Sequence, residues 1–226
     1  MADETIHRFE KNGGLFPQKT VGFIERAAKI KALIFDWDGV FNTGLKQGQI
    51  HSGFTEPDSM GVNMLRFALW LKNRELPFTM IISGAENKTA QYFAKREHFH
   101  LISTQVKDKA EMVSTVFTEQ QLDSDEVAFF YDDIIDIGVA KMTGLRFFVK
   151  RANGIAMNSY IVDHQLADYI PAASSDNFAV RECCELMISA TGCFEDIVNK
   201  RSEFHNDYKD YLDQRNRVNT VEKKPA

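Results

Sequence analysis

Two aspartates, Asp36 and Asp38, stand one residue apart and directly before Gly39. In an extended segment, residues two apart share one side of the chain, so both carboxylates can address one site. One carboxylate can attack a phosphorus atom while the other, when protonated, donates a proton to the leaving oxygen. Asp-x-Asp-Gly is also common in surface turns. The apolar run directly before Asp36 favours the chemical interpretation.

A second acidic cluster comprises Asp132, Asp133 and Asp136. Carboxylates this close repel one another unless a cation lies among them. Oxygen ligands combined with a phosphate substrate indicate Mg²⁺. A helix N-terminus also attracts acids, and this alternative accounts for Asp133 and Asp136 without requiring all three. The cluster predicts a magnesium site.

Two further segments have groups suited to holding a phosphoryl group. Ser83-Gly84 offers a hydroxyl and backbone N–H groups, and Lys109, with Lys107 close by, offers positive charge for the transition state. Each feature alone is ordinary, because turns contain Ser-Gly and lysines are usually solvated. Phosphoryl transfer is nevertheless favoured by the order of these features along the chain. Each strand–helix unit contributes one of them: the acid pair, the serine, the lysine and the acidic cluster.

The elements that must position these residues alternate along the chain. Apolar runs typical of buried parallel strands cover residues 31–36, 78–82, 127–131 and 145–149. Helical spacing of apolar residues covers 60–71, 87–97, 109–119 and 179–190. This alternation predicts an α/β fold with a doubly wound, Rossmann-like parallel sheet. Ligands of such sheets lie beyond the carboxyl ends of the strands, where the polar residues stand.

Together these motifs resemble those of the haloacid dehalogenase (HAD) superfamily. Residues 31–192 are similar to its cap-less branch, which contains the 3-deoxy-D-manno-octulosonate 8-phosphate (KDO 8-phosphate) phosphatases and sialic-acid-type 9-phosphate phosphatases. The similarity rests on residues 36–44, 83–84, 105–109, 132–136, 167–170 and 179–185. It implies a HAD-like fold without a large cap domain, and a phosphatase acting on a small phosphorylated sugar or sugar acid.

The resemblance also implies roles for individual residues. For catalysis it implies Asp36 as the nucleophile, Asp38 as the general acid/base, and Ser83 and Lys109 on the phosphoryl group. For substrate binding it implies Ser83, Gly84, Lys109 and Arg181. For Mg²⁺ it implies Asp36, the backbone carbonyl of Asp38, Asp132 and Asp133, with Asp136 in support.

Several positions depart from the octulosonate phosphatase pattern. Where that family carries an arginine, an acid and a glycine before a helix, this chain reads Glu56-Pro-Asp-Ser-Met-Gly61, and Ala85 follows Ser83-Gly84 where an arginine is common. A guanidinium fork binds carboxylate and phosphate in a way that alanine or proline cannot. The departures therefore affect substrate recognition, and Arg181, Lys46 and His51 are the candidates for contacting the distal end of the substrate.

Composition narrows the classes of partner. The 226 residues have a formal net charge of −5 with both signs mixed, and neither a basic stripe for nucleic acid nor an apolar run of membrane-spanning length is present. The first thirty residues contain no leader-like apolar stretch. Cys183, Cys184 and Cys193 are predicted to be small apolar residues in a reducing cytoplasm.

Outside the predicted core, residues 1–30 are expected to be an extension with a short helix within 20–29. Residues 193–226 are expected to be a helical extension, with a helix over 195–213 and a frayed end over 219–226. Residues 44–53 could form the β-hairpin that covers a neighbouring site in the family's homotetramers, so a homo-oligomer is expected by analogy.

Two other functions remain open at this stage. The chain could be a binding or regulatory module on an inherited phosphatase scaffold, since function does not follow from fold. It could also transfer the phosphoryl group to another hydroxyl, although such enzymes usually need a cap that excludes water. Dehalogenation is disfavoured because it needs neither the second acid of the pair nor a dense acidic cluster.

Overall fold

A parallel β-sheet forms the centre of the molecule. The computed structural model describes residues 2–18, 22–46 and 52–224. The strands are β1 Ala32–Phe35, β2 Phe78–Ile82, β3 Leu101–Ser103, β4 Val127–Tyr131, β5 Leu145–Phe148 and β6 Val221–Glu222. They lie side by side in the order β5-β4-β1-β2-β3-β6, with every pairing parallel. The predicted doubly wound α/β sheet is confirmed.

Helices cover both faces of this sheet. They are α1 Ala2–Lys11, α2 Phe23–Ala27, α3 Glu56–Asn73, α4 Lys88–Arg96, α5 Lys109–Gln120, α6 Ile137–Ala140, α7 Ile155–Asp163, α8 Ala179–Ala190, α9 Phe194–Ser202 and α10 Asn206–Arg215. Each predicted helix of the core is present. Only residues 36–55 separate β1 from α3, which is too short for the separate folded cap that the resemblance excludes.

The central strand β1 shows why its sequence is a continuous apolar run. Leu33 and Phe35 pack into a core that includes residues of α3, α4 and α8. Ala32 and Ile34 pack into the opposite core, with residues of α5, α6 and α7. Because both faces of the strand are buried, a polar residue is first tolerated where the strand ends, at Asp36.

Side-chain caps fix where three helices begin at the carboxyl edge of the sheet. The side chains of Thr55, Asn87 and Asp108 accept hydrogen bonds from backbone N–H groups in the first turns of α3, α4 and α5. These caps satisfy donors that have no partner within the helix. The starts of these helices therefore lie at the same edge of the molecule as the residues that follow the strands.

The C-terminal segment differs from the prediction. The expected helix over 195–213 is two helices, α9 and α10, separated by a turn in which Phe204 adopts a left-handed φ of 51°. The prediction of a frayed end is wrong for residues 221–222, which pair with β3 as an edge strand. The hydroxyl of Ser103 also donates to the carbonyl of Lys223 at 2.7 Å. A two-residue strand is too short to produce a sequence signal.

The N-terminal segment also contains more structure than expected, because α1 precedes the predicted short helix, α2. Phe9 and Phe16 pack against the ring of Tyr169. The predicted strand over 167–170 is reduced to single bridges, Leu15 with Ile170 and Phe147 with Tyr169. The predicted hairpin over 44–53 falls partly on residues 47–51, outside the described residues.

Two predictions about membrane and cysteine content can be compared with the fold. Among the helices that the structure describes, none combines the length and apolar character needed to cross a membrane. Cys183 and Cys184 are buried on α8, Cys193 is half-buried, and all three are free thiols. The expectation that the cysteines are buried or half-buried is confirmed for all three.

Candidate active site

Asp36 and Asp132 directly follow two neighbouring strands, β1 and β4. The backbone N–H of Asp36 donates to the carbonyl of Phe130 at 2.9 Å, so strand pairing continues to the first site residue. The two aspartates are only 4% and 2% exposed. The sheet itself therefore brings the two acids together, as the strand-end rule predicts.

Lys109 connects Asp36 with Asp136. It is the first residue of α5 and is 1% exposed, and its Nζ lies 2.6 Å from Oδ1 of Asp36 and 2.6 Å from Oδ1 of Asp136. Burial lowers the pKa of this ammonium, but the charges of the two aspartates outweigh burial and raise it. Lys109 is therefore a permanently charged group between two carboxylates.

Three carboxylates converge beside this lysine. Oxygen atoms of Asp36, Asp132 and Asp136 all lie within 4.8 Å of one another. Burial, and next the charge of Asp36, raise the pKa of Asp132 to about 8 and that of Asp136 to about 7. Oδ1 of Asp132 is buried without a hydrogen-bond partner. An unpartnered buried carboxylate oxygen in a cluster of oxygen donors fits a divalent cation such as Mg²⁺.

Asp133 is not one of the three converging carboxylates. Its Oδ1 accepts the N–H of Ile134 at 2.7 Å, while Oδ2 of Asp136 accepts the N–H of Asp133 at 3.3 Å. This reciprocal cap starts a short 3₁₀ helix, Ile134–Asp136. The helix-cap interpretation thus applies to Asp133, whereas Asp136 both caps and faces Lys109. Asp133 was a predicted metal ligand and Asp136 its support, but in the structure the oxygen that lies within 4.8 Å of those of Asp36 and Asp132 belongs to Asp136.

Arg151 was missed by sequence analysis. Its guanidinium donates through Nη2 to Oδ2 of Asp132, and its Nη1 lies 2.9 Å from Oδ2 of Asp133. The signal was available, since Lys150-Arg151 follows the predicted strand over 145–149 just as the other polar residues follow theirs. A basic residue after a strand is usually solvated, so Arg151 alone gives a weak signal.

The carboxyl group of Asp38 is held by two residues. Nζ of Lys46 donates to its Oδ1 at 2.8 Å and its Oδ2 at 2.7 Å, and Nδ2 of Asn87 approaches Oδ1 at 3.4 Å. Asn87 also caps α4. Lys46, a candidate for contacting the substrate, is therefore placed beside the second acid of the pair.

Ser83 and Gly84 form the turn after β2, next to β1. Ser83 is buried, and its Oγ accepts the N–H of Ala85 at 3.3 Å. The backbone N–H and carbonyl of Ser83 are bound by Ser103 and Val106, respectively. A cavity of about 820 Å³ opens beside Gly84, between this turn and the C-terminal tail, with Gln105 and Lys107 among its lining residues. The acidic cluster itself does not line this cavity.

Arg181 contacts two acidic residues that do not belong to the cluster. Its Nε donates to Oε1 of Glu185 at 2.6 Å, and its backbone N–H donates to Oδ1 of Asp58 at 2.9 Å. Within the part of the chain that the structure describes, it forms no ion pair with the site aspartates. Its role in substrate binding stays a prediction, and His51 lies outside the described residues.

Replacing Gly39 with alanine is expected to destabilise the protein by displacing Asp132. Gly39 has a φ of +92°, and a Cβ there would lie 1.9 Å from Oδ2 of Asp132. Left-handed strain costs about 1–2 kcal/mol, and overpacking adds about 1–3 kcal/mol. Urea unfolding should show a loss of about 2–5 kcal/mol in the free energy of unfolding, the sum of the two costs.

Gly22→Ala is the matched control, because Gly22 has a φ of +84° with nothing near the position of a Cβ. It should show the conformational strain alone, about 1–2 kcal/mol. An equal loss of the free energy of unfolding in the two variants would contradict the prediction. It would mean that displacing the Asp132 side chain costs no free energy.

Comparison with known proteins was made against family models, sequences and structures. No family model matches the chain. It is 30% identical over 172 residues to the 3-deoxy-D-manno-octulosonate 8-phosphate phosphatase of Salmonella typhi, covering 74% of this chain and 84% of that protein. A probable YrbI family phosphatase of Pseudomonas syringae is 29% identical with a TM-score of 0.67, covering 82% of this chain and 99% of that one.

A third similar protein was solved with ligands. It is the 3-deoxy-D-manno-octulosonate 8-phosphate phosphatase of Moraxella catarrhalis, in complex with magnesium ion, phosphate ion and KDO. It is 22% identical to this chain, with a TM-score of 0.66 and coverage of 80% of this chain and 98% of that one. At this identity, the likeness supports the fold.

Proposed function

Because this chain belongs to the KDO 8-phosphate phosphatase-like branch of the HAD superfamily, we propose that it hydrolyses the phosphate ester of a KDO 8-phosphate-like sugar acid with Mg²⁺ as cofactor. The chain is a phosphoric monoester hydrolase of the HAD type. The observation that carries the proposal is the convergence of Asp36, Asp132 and Asp136 beside Lys109 at the carboxyl edge of the sheet.

Asp36 is the proposed nucleophile, which is transiently phosphorylated. Lys109 donates to its Oδ1, which orients the carboxylate. The attacking oxygen forms a bond to phosphorus as the bond to the alcohol oxygen of the substrate breaks. Lys109 keeps its proton and its charge, so it can stabilise the negative charge of the phosphoryl group.

Asp38 is the proposed general acid and base. When protonated it donates a proton to the leaving alcohol oxygen. It then accepts a proton from the water that attacks phosphorus, while the bond between phosphorus and the carboxylate oxygen of Asp36 breaks and inorganic phosphate is released. Lys46 and Asn87 hold its carboxyl group through hydrogen bonds. The hydroxyl of Ser83 and the backbone N–H of Gly84 would hold phosphoryl oxygens, because the N–H of Ser83 already donates to the carbonyl of Ser103.

The proposed metal ligands are Asp36, Asp132 and the backbone carbonyl of Asp38, with Asp133 and Asp136 in support. When bound, Mg²⁺ offsets the negative charge of the carboxylates and the phosphoryl group. The unpartnered Oδ1 of Asp132 and the all-oxygen donor set support this assignment.

The proposal also covers the extent of the catalytic unit, the oligomeric state and the cellular compartment. The catalytic unit is residues 31–192, to which the C-terminal extension adds an edge strand. We propose a homo-oligomer, a tetramer by family analogy, and a reducing compartment, the cytoplasm, which suits three free thiols.

The test is phosphate release from a panel of phosphate monoesters with and without Mg²⁺. The panel contains KDO 8-phosphate, nine-carbon sugar-acid 9-phosphates and simple sugar phosphates. We expect Mg²⁺-dependent turnover of a sugar-acid phosphate at least about tenfold above that of simple sugar phosphates, since recognition of a carboxylate distinguishes them. Turnover of none of these esters at high protein concentration would contradict the proposal and favour a binding module.

A further inference from the structure

We propose that Arg151 is an internal counter-ion that competes with the metal for Asp132 and thereby sets the metal affinity of the site. The guanidinium donates to Oδ2 of Asp132, a carboxylate whose side chain is 1% exposed. It also forms an ion pair with Asp133 at 2.9 Å. A planar guanidinium suits this task because its N–H groups can serve two carboxylates at once.

The backbone of Arg151 is fixed while its side chain reaches in from solvent. The carbonyl oxygen of Arg151 accepts the N–H of Gly154 at 3.0 Å and Nδ2 of Asn158 at 2.9 Å, which anchors the loop to the start of α7. The side chain is 52% exposed, in contrast to the buried Lys109. The guanidinium can therefore leave Asp132 without disturbing the packed core.

The two cations beside the cluster have different partners. Lys109 contacts Asp36 and Asp136, and Arg151 contacts Asp132 and Asp133. A metal bound to Asp132 must take over the charge that Arg151 compensates, so part of its binding free energy is spent on releasing the guanidinium. Once Arg151 has released Asp132, its ion pair with Asp133 can still hold it next to the site.

This inference rests on the proposed metal-dependent function, but its test needs no substrate. Isothermal titration of Mg²⁺ into the full, metal-free chain measures the metal affinity of wild type and Arg151→Gln. We expect Mg²⁺ to bind the variant roughly three- to tenfold more tightly, the range of a partly exposed ion pair that no longer has to be broken. The Mg²⁺-induced rise in Tm should be larger as well.

Lys150→Gln is the matched control, since it removes the same charge from the neighbouring residue. Lys150 forms no ion pair among the residues that the structure describes. Its effect on Mg²⁺ affinity should stay below about twofold, as expected of a screened, more distant charge. Arg151→Lys, which keeps the charge but lacks the fork, should bind Mg²⁺ with intermediate affinity.

Unchanged or weaker Mg²⁺ binding in Arg151→Gln would overturn this inference while leaving the proposed function intact. Equal tightening in Lys150→Gln would also overturn it, because a general charge effect would then suffice. Absence of Mg²⁺ binding in all the proteins would overturn both the inference and the metal dependence of the proposed function. Phosphate release from the ester panel distinguishes that case from a metal-independent phosphatase.

Discussion

Asp36→Asn is expected to abolish phosphate release, with kcat falling on the order of 10⁴-fold or more, because covalent catalysis has no alternative nucleophile in this site. An amide has nearly the shape of a carboxylate but lacks its nucleophilic charge. Asp36 sits at a strand end with its N–H paired to Phe130, so the backbone should keep its position. Initial rates on the best ester of the panel measure the effect.

The covalent step has its own readout. Acid quenching of wild type during turnover of a radiolabelled ester should retain label on the protein, and Asp36→Asn should retain none. Asp163→Asn, a change of the same kind at an exposed position of α7, should match wild type in both measurements. Turnover by Asp36→Asn at more than about a hundredth of the wild-type rate would exclude Asp36 as the nucleophile.

The fold could be predicted because its central strands are buried on both faces. Runs such as residues 127–131 have to be continuously apolar to pack between two helical layers, and this pattern is unambiguous. The three-residue β3 and the two-residue edge strand β6 could not be predicted, because they are too short for a sequence pattern and owe their pairing to neighbouring strands. Leu101 pairs with Val221 across 120 positions of sequence, a contact that no local pattern contains.

The position of a site residue was predictable where the residue directly follows a strand. It was less predictable where the direction of the side chain determines which groups it contacts. Asp36 and Asp132 follow neighbouring strands, so their meeting follows from the topology. Which of Asp133 and Asp136 turns inward depends on a 3₁₀ turn, and acids three residues apart do not reveal that turn in sequence. Arg151 also follows a strand, β5, but its contact with Asp132 depends on the direction of a long side chain, which position at a strand end does not give.

Lys109→Met is expected to impair both catalysis and folding, because a single ammonium compensates two buried carboxylates. Loss of one preorganised charge at the phosphoryl group costs about 10²–10³ in kcat. Leaving buried carboxylates without their partner costs about 3–5 kcal/mol of the free energy of unfolding. Phosphate release and urea unfolding measure the two effects separately.

The loss of stability should depend on pH in a definite direction. Burial and the charge of Asp36 already raise the pKa of Asp136 to about 7, against the lowering effect of Lys109. Without the ammonium, the folded state holds protons on its carboxylates that the unfolded chain releases above its own carboxyl pKa. The folded variant then binds more protons than the unfolded variant. Its free energy of unfolding should therefore fall between pH 6 and pH 8, and by more than that of wild type.

Lys107→Met is the control that separates the effect of the contacts of Lys109 from the effect of losing one positive charge. Lys107 is exposed two residues earlier and was the alternative candidate for the phosphoryl-binding lysine. Its replacement removes the same charge from the same loop but no contact with a site aspartate, so kcat and the pH dependence of unfolding should stay close to wild type. Equal losses in the two variants would mean that general positive charge near the cluster matters. A normal kcat in Lys109→Met would remove this lysine from the chemistry.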